Sequence, residues 1–100
     1  MIRILTTNDS RGIAITIDGE LAGDDVQALE RCCDESIRNK GSVRLFLREV
    51  SRIDEEGRKL LSRLAARNVE LSASGVYTSY IVGEIQREAG AAWTQASWNT

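Results

Sequence analysis

The sequence predicts an α/β fold in which a mixed sheet of about four strands is covered by helices. Three observations predict it: an alternating isoleucine pattern, two stretches with apolar residues at helical spacing, and a short apolar run after each stretch. The predicted order is β-β-α-β-α-β-α, in which the first two strands form a hairpin. Helix-linked strands imply right-handed crossovers and parallel pairing after the hairpin. The 100 residues suffice for one domain.

The hairpin is predicted from the first 17 residues. Ile13, Ile15 and Ile17 alternate with smaller or polar residues, which is the period of a half-buried strand. Residues 2–7 predict a strand before them. Asn, Asp, Ser and Gly between the two runs are typical of turns.

The first helix is predicted to begin at Asp24 and Asp25, either of which can cap it and both of which suit its positive dipole end. Its apolar stripe consists of four residues: Val26, Leu29, Cys33 and Ile37. Lys40 and Gly41 suit its C-terminal end. Cys33 is expected to be a small buried side chain, and Cys32 to lie beside the stripe.

The second helix is predicted after a strand over residues 43–47 and a connecting segment over residues 48–53. Asp54 is its expected N-cap, and Glu55 and Lys59 stand four residues apart in the order that favours an ion pair. The expected buried face consists of Leu60, Leu61, Leu64 and Ala65. Asn68 suits a left-handed helix end.

The C-terminal part predicts a strand over residues 69–73 and a third helix capped by Ser74, with Tyr77, Ile81 and Ile85 as its stripe. Residues 76–82 are rich in strand formers, so a strand there stays an alternative. We divide the chain into a domain at 1–89 and a tail at 90–100. The tail's Trp93 and Trp98 either fold back onto the domain or anchor a partner or a second protomer.

Composition narrows the function classes. The net charge of −2 gives no reason to expect nucleic acid or membrane binding, and no run approaches a membrane span, so we expect a cytoplasmic protein. The chain has no histidine, and adjacent Cys32 and Cys33 make a poor metal site, so we expect no metal, no cofactor and no enzymatic activity.

Three local signatures, in this order, carry a resemblance to a known family. They are Gly-Glu-Leu at residues 19–21, Ile-Asp-Glu-Glu-Gly at 53–57, and Ala-Arg-Asn-Val-Glu-Leu at 66–71. Together with the element order, they resemble the STAS domain of anti-sigma-factor antagonists over roughly residues 1–88. The resemblance implies a STAS-like sandwich and a protein partner of the anti-sigma-factor type in bacterial regulation.

The departures from that family lie mainly at its phosphorylation site. The resemblance implies a serine, phosphorylated by a partner kinase, at the position of Glu55, and a second serine at Glu56. Two aspartates that the family often has are replaced by Ala22 and Phe46. The family's final strand and helix are also missing, unless the tail with its two tryptophans stands in for them. The resemblance therefore implies the fold, and implies a phosphorylation switch only in part.

The glutamates have two interpretations. Glu55 can mimic a phosphoserine, with less charge, or both glutamates can be the acidic residues that commonly begin helices. Gly57, inside the predicted helix, indicates a close approach by backbone or by a partner.

Residues 31–67 contain more basic than acidic residues, which makes a nucleic-acid face conceivable. The recurrence of Lys59, Arg63 and Arg67 is nevertheless typical of the solvent-exposed face of an amphipathic helix. The interleaved aromatic residues of a nucleic-acid-binding surface are missing. An acidic protein partner explains these charges at least as well.

We therefore predict a non-enzymatic protein-binding module without the phosphorylatable serine. The predicted partner-binding residues are Asp24, Asp54, Glu55, Glu56, Gly57 and Arg58. The alternative is an assembly domain that forms a homodimer or joins a larger signalling complex. A weaker third option, anion or nucleotide binding at the helix start, is opposed by the two glutamates there.

Overall fold

The predicted α/β fold is confirmed by a computed structural model, which describes residues 2–98, with side chains for 2–39 and 41–88. The seven elements follow the predicted order. They are β1 (Ile2–Asp9), β2 (Gly12–Leu21), α1 (Asp24–Lys40), β3 (Val43–Ile53), α2 (Glu55–Ala66), β4 (Glu70–Ala73) and α3 (Val76–Trp98).

The four strands form one mixed sheet in the order β1-β2-β3-β4. β1 pairs antiparallel with β2, whereas β2 with β3 and β3 with β4 pair in parallel. Both parallel connections step in the same direction across the sheet, so right-handed crossovers place α1 and α2 on one face. That face carries the core, which includes Ile15 and Ile17 of β2 and Leu45 and Leu47 of β3.

The second face of the sheet, called the open face below, carries the alternate residues of each strand. Thr16 and Phe46, which are partners in the β2–β3 register, are half-buried there, and Leu5 is 44% exposed. The predicted cover of helices therefore lies on one side only, and the fold has two layers.

The hairpin is tighter than predicted, because its turn contains only Ser10 and Arg11. Gly12 has a φ of 121°, and a Cβ there would lie 2.4 Å from the Ser42 carbonyl oxygen. The close approach of the residue before β3 thus requires glycine at the start of β2.

The predicted capping of α1 by Asp24 or Asp25 is wrong. The N-cap is Gly23, with a φ of 60° and no side-chain cap, and both aspartates lie in the first helical turn. The backbone at residue 23 takes a conformation that suits glycine, so the helix boundary precedes the aspartates. The C-terminal prediction is confirmed, since Gly41 has a φ of 79° and its N–H donates to the Ile37 carbonyl at 2.8 Å.

The two cysteines lie where the helical period places them. Cys33 is fully buried, and this burial raises the pKa of its thiol to about 12, which keeps it protonated. Cys32 is half-buried, with its Sγ 4.0 Å from Thr6 Oγ1.

β3 extends through the segment that we predicted as a connection, to Ile53. The register between β2 and β3 shifts twice, at Ile17/Asp18 and at Gly19/Glu20. These irregularities hide the strand's period of two, yet the pairing continues until Leu21 faces Ile53.

α2 is confirmed with Asp54 as its N-cap, and Asn68 has the expected left-handed φ, at 68°. Three of its four predicted apolar residues, Leu60, Leu61 and Leu64, are fully buried, and Ala65 is half-buried. β4 begins at Glu70, one residue later than predicted.

Residues 76–82 are helical, but the predicted stripe of α3 is wrong at Tyr77, which is 47% exposed. Ile85 is buried as predicted and Ile81 packs half-buried against the core, but the other buried residues in the described part of the helix are Thr78 and Val82. Thr78 Oγ1 donates to the Val50 carbonyl at 2.9 Å, which fixes the rotation of the helix against β3.

Ser74 does not act as the predicted helix cap, because its hydroxyl donates to the Arg48 carbonyl of β3. Gly75, with a φ of 90°, lies between it and the helix. α3 continues to Trp98 across the proposed boundary at residue 90, and the side chains of Trp93 and Trp98 lie outside the described residues.

In the part of the chain that the structure describes, no helix is long and apolar enough to cross a membrane. α3, the longest described helix, has Arg58's partners Glu84 and Glu88 along its side.

Candidate functional site

The candidate site is built around Asp54, whose carboxylate joins two chain segments. Its Oδ1 accepts from the Gly57 N–H at 2.8 Å, which caps α2. Its Oδ2 accepts from the Gly23 N–H at 3.0 Å, which holds the loop before α1. These two hydrogen bonds, first that from Gly23 and then that from Gly57, lower the pKa of Asp54 below its ordinary value. A charged Asp54 therefore fixes both segments.

The backbone around Asp54 reinforces this junction. The Asp54 N–H donates to the Leu21 carbonyl at 3.1 Å, and the Arg58 N–H donates to the Asp54 carbonyl at 2.9 Å. Leu21 and Ile53 are the last paired residues of β2 and β3. The parallel pairing of these strands therefore places the two following helix starts side by side.

Gly57 is buried where α2 touches the end of β2. A Cβ there would lie 2.5 Å from the Leu21 carbonyl oxygen and 3.0 Å from Leu21 Cγ. The close approach expected at Gly57 is thus made by this chain's own backbone.

Glu55 and Glu56 point outward from the first turn of α2, with side chains 83% and 66% exposed. Lys59 Nζ lies 4.0 Å from Glu55 and 3.4 Å from Glu56, so the expected Glu55–Lys59 pairing is present. The cap position is occupied by Asp54, and the glutamates are arranged as solvated first-turn acids. Residues 54–57 are called the acidic turn below.

Arg58 is turned toward α3. Its guanidinium lies 2.7 Å from Glu84 Oε1 and 4.0 Å from Glu88 Oε1. The Tyr80 hydroxyl donates to the other Glu84 oxygen at 3.1 Å. The Arg58 hydrogen bond, followed by that from Tyr80, lowers the pKa of Glu84, so the pair is charged at neutral pH.

An exposed patch at the start of α3 adjoins the acidic turn. Val76 is 91%, Tyr77 47% and Tyr80 62% exposed, and these three residues are called the aromatic patch below. The Ile53 N–H lies 3.4 Å from the Tyr77 hydroxyl, directly before Asp54. Sequence reasoning missed this patch, because it assigned Tyr77 to the core.

The loop before α1 forms the other side of the site. Asp24 is exposed at the first turn of α1, beside Gly23. Ala22, one of the departures from the STAS pattern, is half-buried in that loop, and its carbonyl accepts from the Asp25 N–H at 3.2 Å. Phe46, another departure, lies apart on the open face near the start of β3.

Four basic residues of the central segment pair with carboxylates on different faces of the fold. Arg63 pairs with Glu30 at 3.2 Å and Arg67 pairs with Asp34, which ties α2 to α1. Others bind carboxylates on the open face, with Arg44 on Asp9 and Arg48 on Asp18. These cations are thus used within the fold and distributed over several faces.

The described residues contain no group of three or more Cys, Asp or Glu side chains placed to hold a metal ion. A shallow surface depression lies on the open face, lined by Arg3, Asp18, Arg48 and neighbouring residues, and is not at the acidic turn. The acidic turn is a charged edge between two helix starts.

The structure brings together five of the six predicted site residues as an exposed or half-exposed group and buries the sixth, Gly57. It adds Tyr77, Tyr80 and Glu84. The signal for the two tyrosines was that residues 76–82 contain more large apolar side chains than one helical stripe can bury. Neither a family model nor a curated protein matches the chain.

Proposed function

We propose that this chain is a non-enzymatic, STAS-like protein-binding module of a bacterial regulatory system, acting in the cytoplasm. It resembles an anti-sigma-factor antagonist without the phosphorylatable serine. The observation that carries the proposal is the Asp54 junction, which fixes two loops while Asp24, Glu55 and Glu56 remain exposed around it.

Preorganisation supports a binding role for this surface. Asp54 fixes the start of α2 and the loop before α1 through two backbone hydrogen bonds, so little loop ordering is left to be done on binding. The aromatic patch beside the turn supplies tyrosines, which are favoured at binding hot spots.

The chemistry of the surface supports one class of protein partner. Exposed carboxylates beside exposed tyrosines suit a protein that presents basic side chains next to an apolar one. Arg58, a predicted partner-binding residue, is half-exposed and pairs with Glu84 of α3, so it also holds the aromatic patch against α2.

The surroundings of Glu55 and Glu56 support a surface whose binding is not switched by phosphorylation. Glu55 and Glu56 are largely in water and share Lys59, and the backbone N–H of Gly57 is taken by Asp54. A phosphate-like role at the helix N-terminus would require the carboxylate to face such N–H groups. We therefore favour ordinary first-turn acids over a phosphomimic.

The test is binding to the anti-sigma-factor kinases encoded in the same genome, measured with the purified full chain by biolayer interferometry. Glu55→Lys with Glu56→Lys should weaken binding to the cognate protein at least about tenfold, since rim and steering charges would be reversed. The matched control is Glu35→Lys with Glu70→Lys, two exposed glutamates elsewhere, which should leave affinity unchanged.

Incubation with the same kinases and ATP tests the lost switch. We expect no phosphate on the wild-type chain, and Glu55→Ser with Glu56→Ser should restore phosphorylation if the rest of the site is intact. Phosphate on exposed Ser51 or Ser62 of the wild type would overturn the claim that the switch is lost. Failure of every kinase to bind would overturn the assignment of the partner class.

A further inference from the structure

The two edges of the sheet differ in how they are protected. β4 has four residues, begins with Glu70 and is packed by α3. β1 has eight residues, pairs with β2 in an uninterrupted register, and contains neither proline nor bulge. Long, unblocked edges of this kind are templates for pairing with another strand.

The second half of β1 is exposed on both faces of the sheet. Thr6 and Asn8 are paired with core residues Ile15 and Ile13, yet both are exposed. Leu5 and Thr7, on the open face, are exposed too. Among the described elements, β2 is the main contact of β1, and a two-stranded ribbon is by itself marginally stable in water.

We propose that β1 pairs antiparallel with β1 of a second copy of this chain, which forms a continuous eight-stranded sheet. A twofold axis perpendicular to the sheet keeps the open faces of both copies on the same side. Each β1 residue then pairs with a residue whose side chain lies on the same face of the sheet. One residue of β1 therefore pairs with its own copy, and the axis passes midway between the two.

The charges of β1 select the register. With the axis at Thr6, Arg3 of each copy faces Asp9 of the other, and Leu5 faces Thr7. Arg3 is exposed and lies opposite Asp18 of β2, whose carboxylate is hydrogen-bonded to Arg48, so the Arg3 guanidinium remains accessible to a second copy. Asp9 binds Arg44 yet remains 42% exposed. A shift of two residues either way removes both opposite-charge pairs.

This interface is separate from the acidic turn and does not depend on the proposed regulatory function. It also gives the assembly alternative a specific surface, made by the backbone of β1 and two charge pairs. Opposite charges that face each other across strands stabilise the pairing, and like charges destabilise it.

The test is sedimentation equilibrium of the full chain over a wide concentration range. The wild type should show a reversible monomer–dimer equilibrium. Arg3→Asp alone and Asp9→Arg alone should each weaken self-association at least about tenfold, because each places like charges opposite each other twice. An equimolar mixture of the two variants should dimerise again, since every facing pair in the mixed dimer is of opposite charge.

Amide hydrogen exchange of the wild type at low and high concentration provides a readout that does not depend on variants. Protection should rise with concentration in β1 and stay constant in β4. A chain that is monomeric throughout, or a dimer that protects the aromatic patch and not β1, would overturn the proposal. A dimer unaffected by either charge reversal would overturn the register.

Discussion

The N-termini of α1 and α2 lie side by side at the acidic turn, yet they are held in different ways. α2 is capped by its own N-cap side chain, Asp54, and its first turn packs through Gly57 against β2. α1 begins at Gly23 without a side-chain cap, and the Gly23 N–H is bound by Asp54, 31 residues along the chain.

The comparison shows that one carboxylate stabilises two helix starts, and that these depend on it to different degrees. α2 retains its packing if the carboxylate is lost, whereas the loop before α1 loses its side-chain anchor. The acidic residues of α1, Asp24 and Asp25, act in its first turn, where they favour the helix dipole without replacing that anchor.

The largest effect is expected at Gly57. Gly57→Ala should destabilise the protein by about 1–3 kcal/mol, because the new Cβ would overlap the Leu21 carbonyl and α2 must move away from β2. Urea unfolding monitored by circular dichroism measures this change.

The matched control is Gly83→Ala in α3, where a Cβ would meet nothing within 4 Å. This change should stabilise the protein by about 0.5–1 kcal/mol, since alanine is the better helix former. Opposite signs would confirm that packing decides the outcome at Gly57, and equal stabilisation by both changes would refute the close approach.

Asp54→Ala is expected to have a smaller effect on stability. It tests more directly whether Asp54 anchors both helix starts. The change should lower the urea midpoint by less than Gly57→Ala, and amide exchange at both Gly57 and Gly23 should become roughly tenfold faster. Faster exchange confined to α2 would show that Gly23 does not depend on Asp54.

The free energy of unfolding should also depend on pH through the charge of Asp54. Because the folded-state pKa of Asp54 lies below its ordinary value of 3.8, the unfolded chain binds more protons in that range. The contribution of Asp54 is thus complete above about pH 5 and is lost as pH falls through the folded pKa.

Asp54→Asn should consequently have a flatter stability profile between about pH 5 and pH 2 than the wild type. Asp9, Asp18 and Glu84, whose pKa values are also lowered by arginine partners, contribute equally to both proteins. Urea midpoints across this range measure the difference in slope, and identical slopes would contradict the charged junction.

Most of the fold could be predicted because the apolar periods of its elements are clear. The alternation of Ile13, Ile15 and Ile17 defines β2, and the residue before α2 is a strong N-cap. The phase of α3 could not be predicted, since its first seven residues have large apolar side chains on several sides and the Thr78–Val50 hydrogen bond fixes the rotation.

The sequence indicated residues for a candidate site but not the junction that joins them. Asp54 reaches Gly23 only because the parallel register ends with Leu21 opposite Ile53, a juxtaposition that two irregularities between β2 and β3 decide. Arg58 was predicted as a partner-binding residue from its place after the acidic turn, and its pairing with Glu84, 26 residues away, could not be predicted from the sequence.

The smallest effect is expected for Asp24→Asn, which separates the dipole interaction of α1 from the hydrogen-bonded anchor. It should destabilise the protein by only about 0.3–0.5 kcal/mol at low ionic strength, because Asp24 is exposed in the first turn. At about 1 M salt this effect should vanish, since the screening length is then roughly 3 Å. The Asp54→Ala effect should persist in the same salt, because short hydrogen bonds to backbone N–H groups are little screened. A salt-resistant loss at Asp24 would mean that α1 is anchored by its own acidic residues, and the two helix starts would then be held alike.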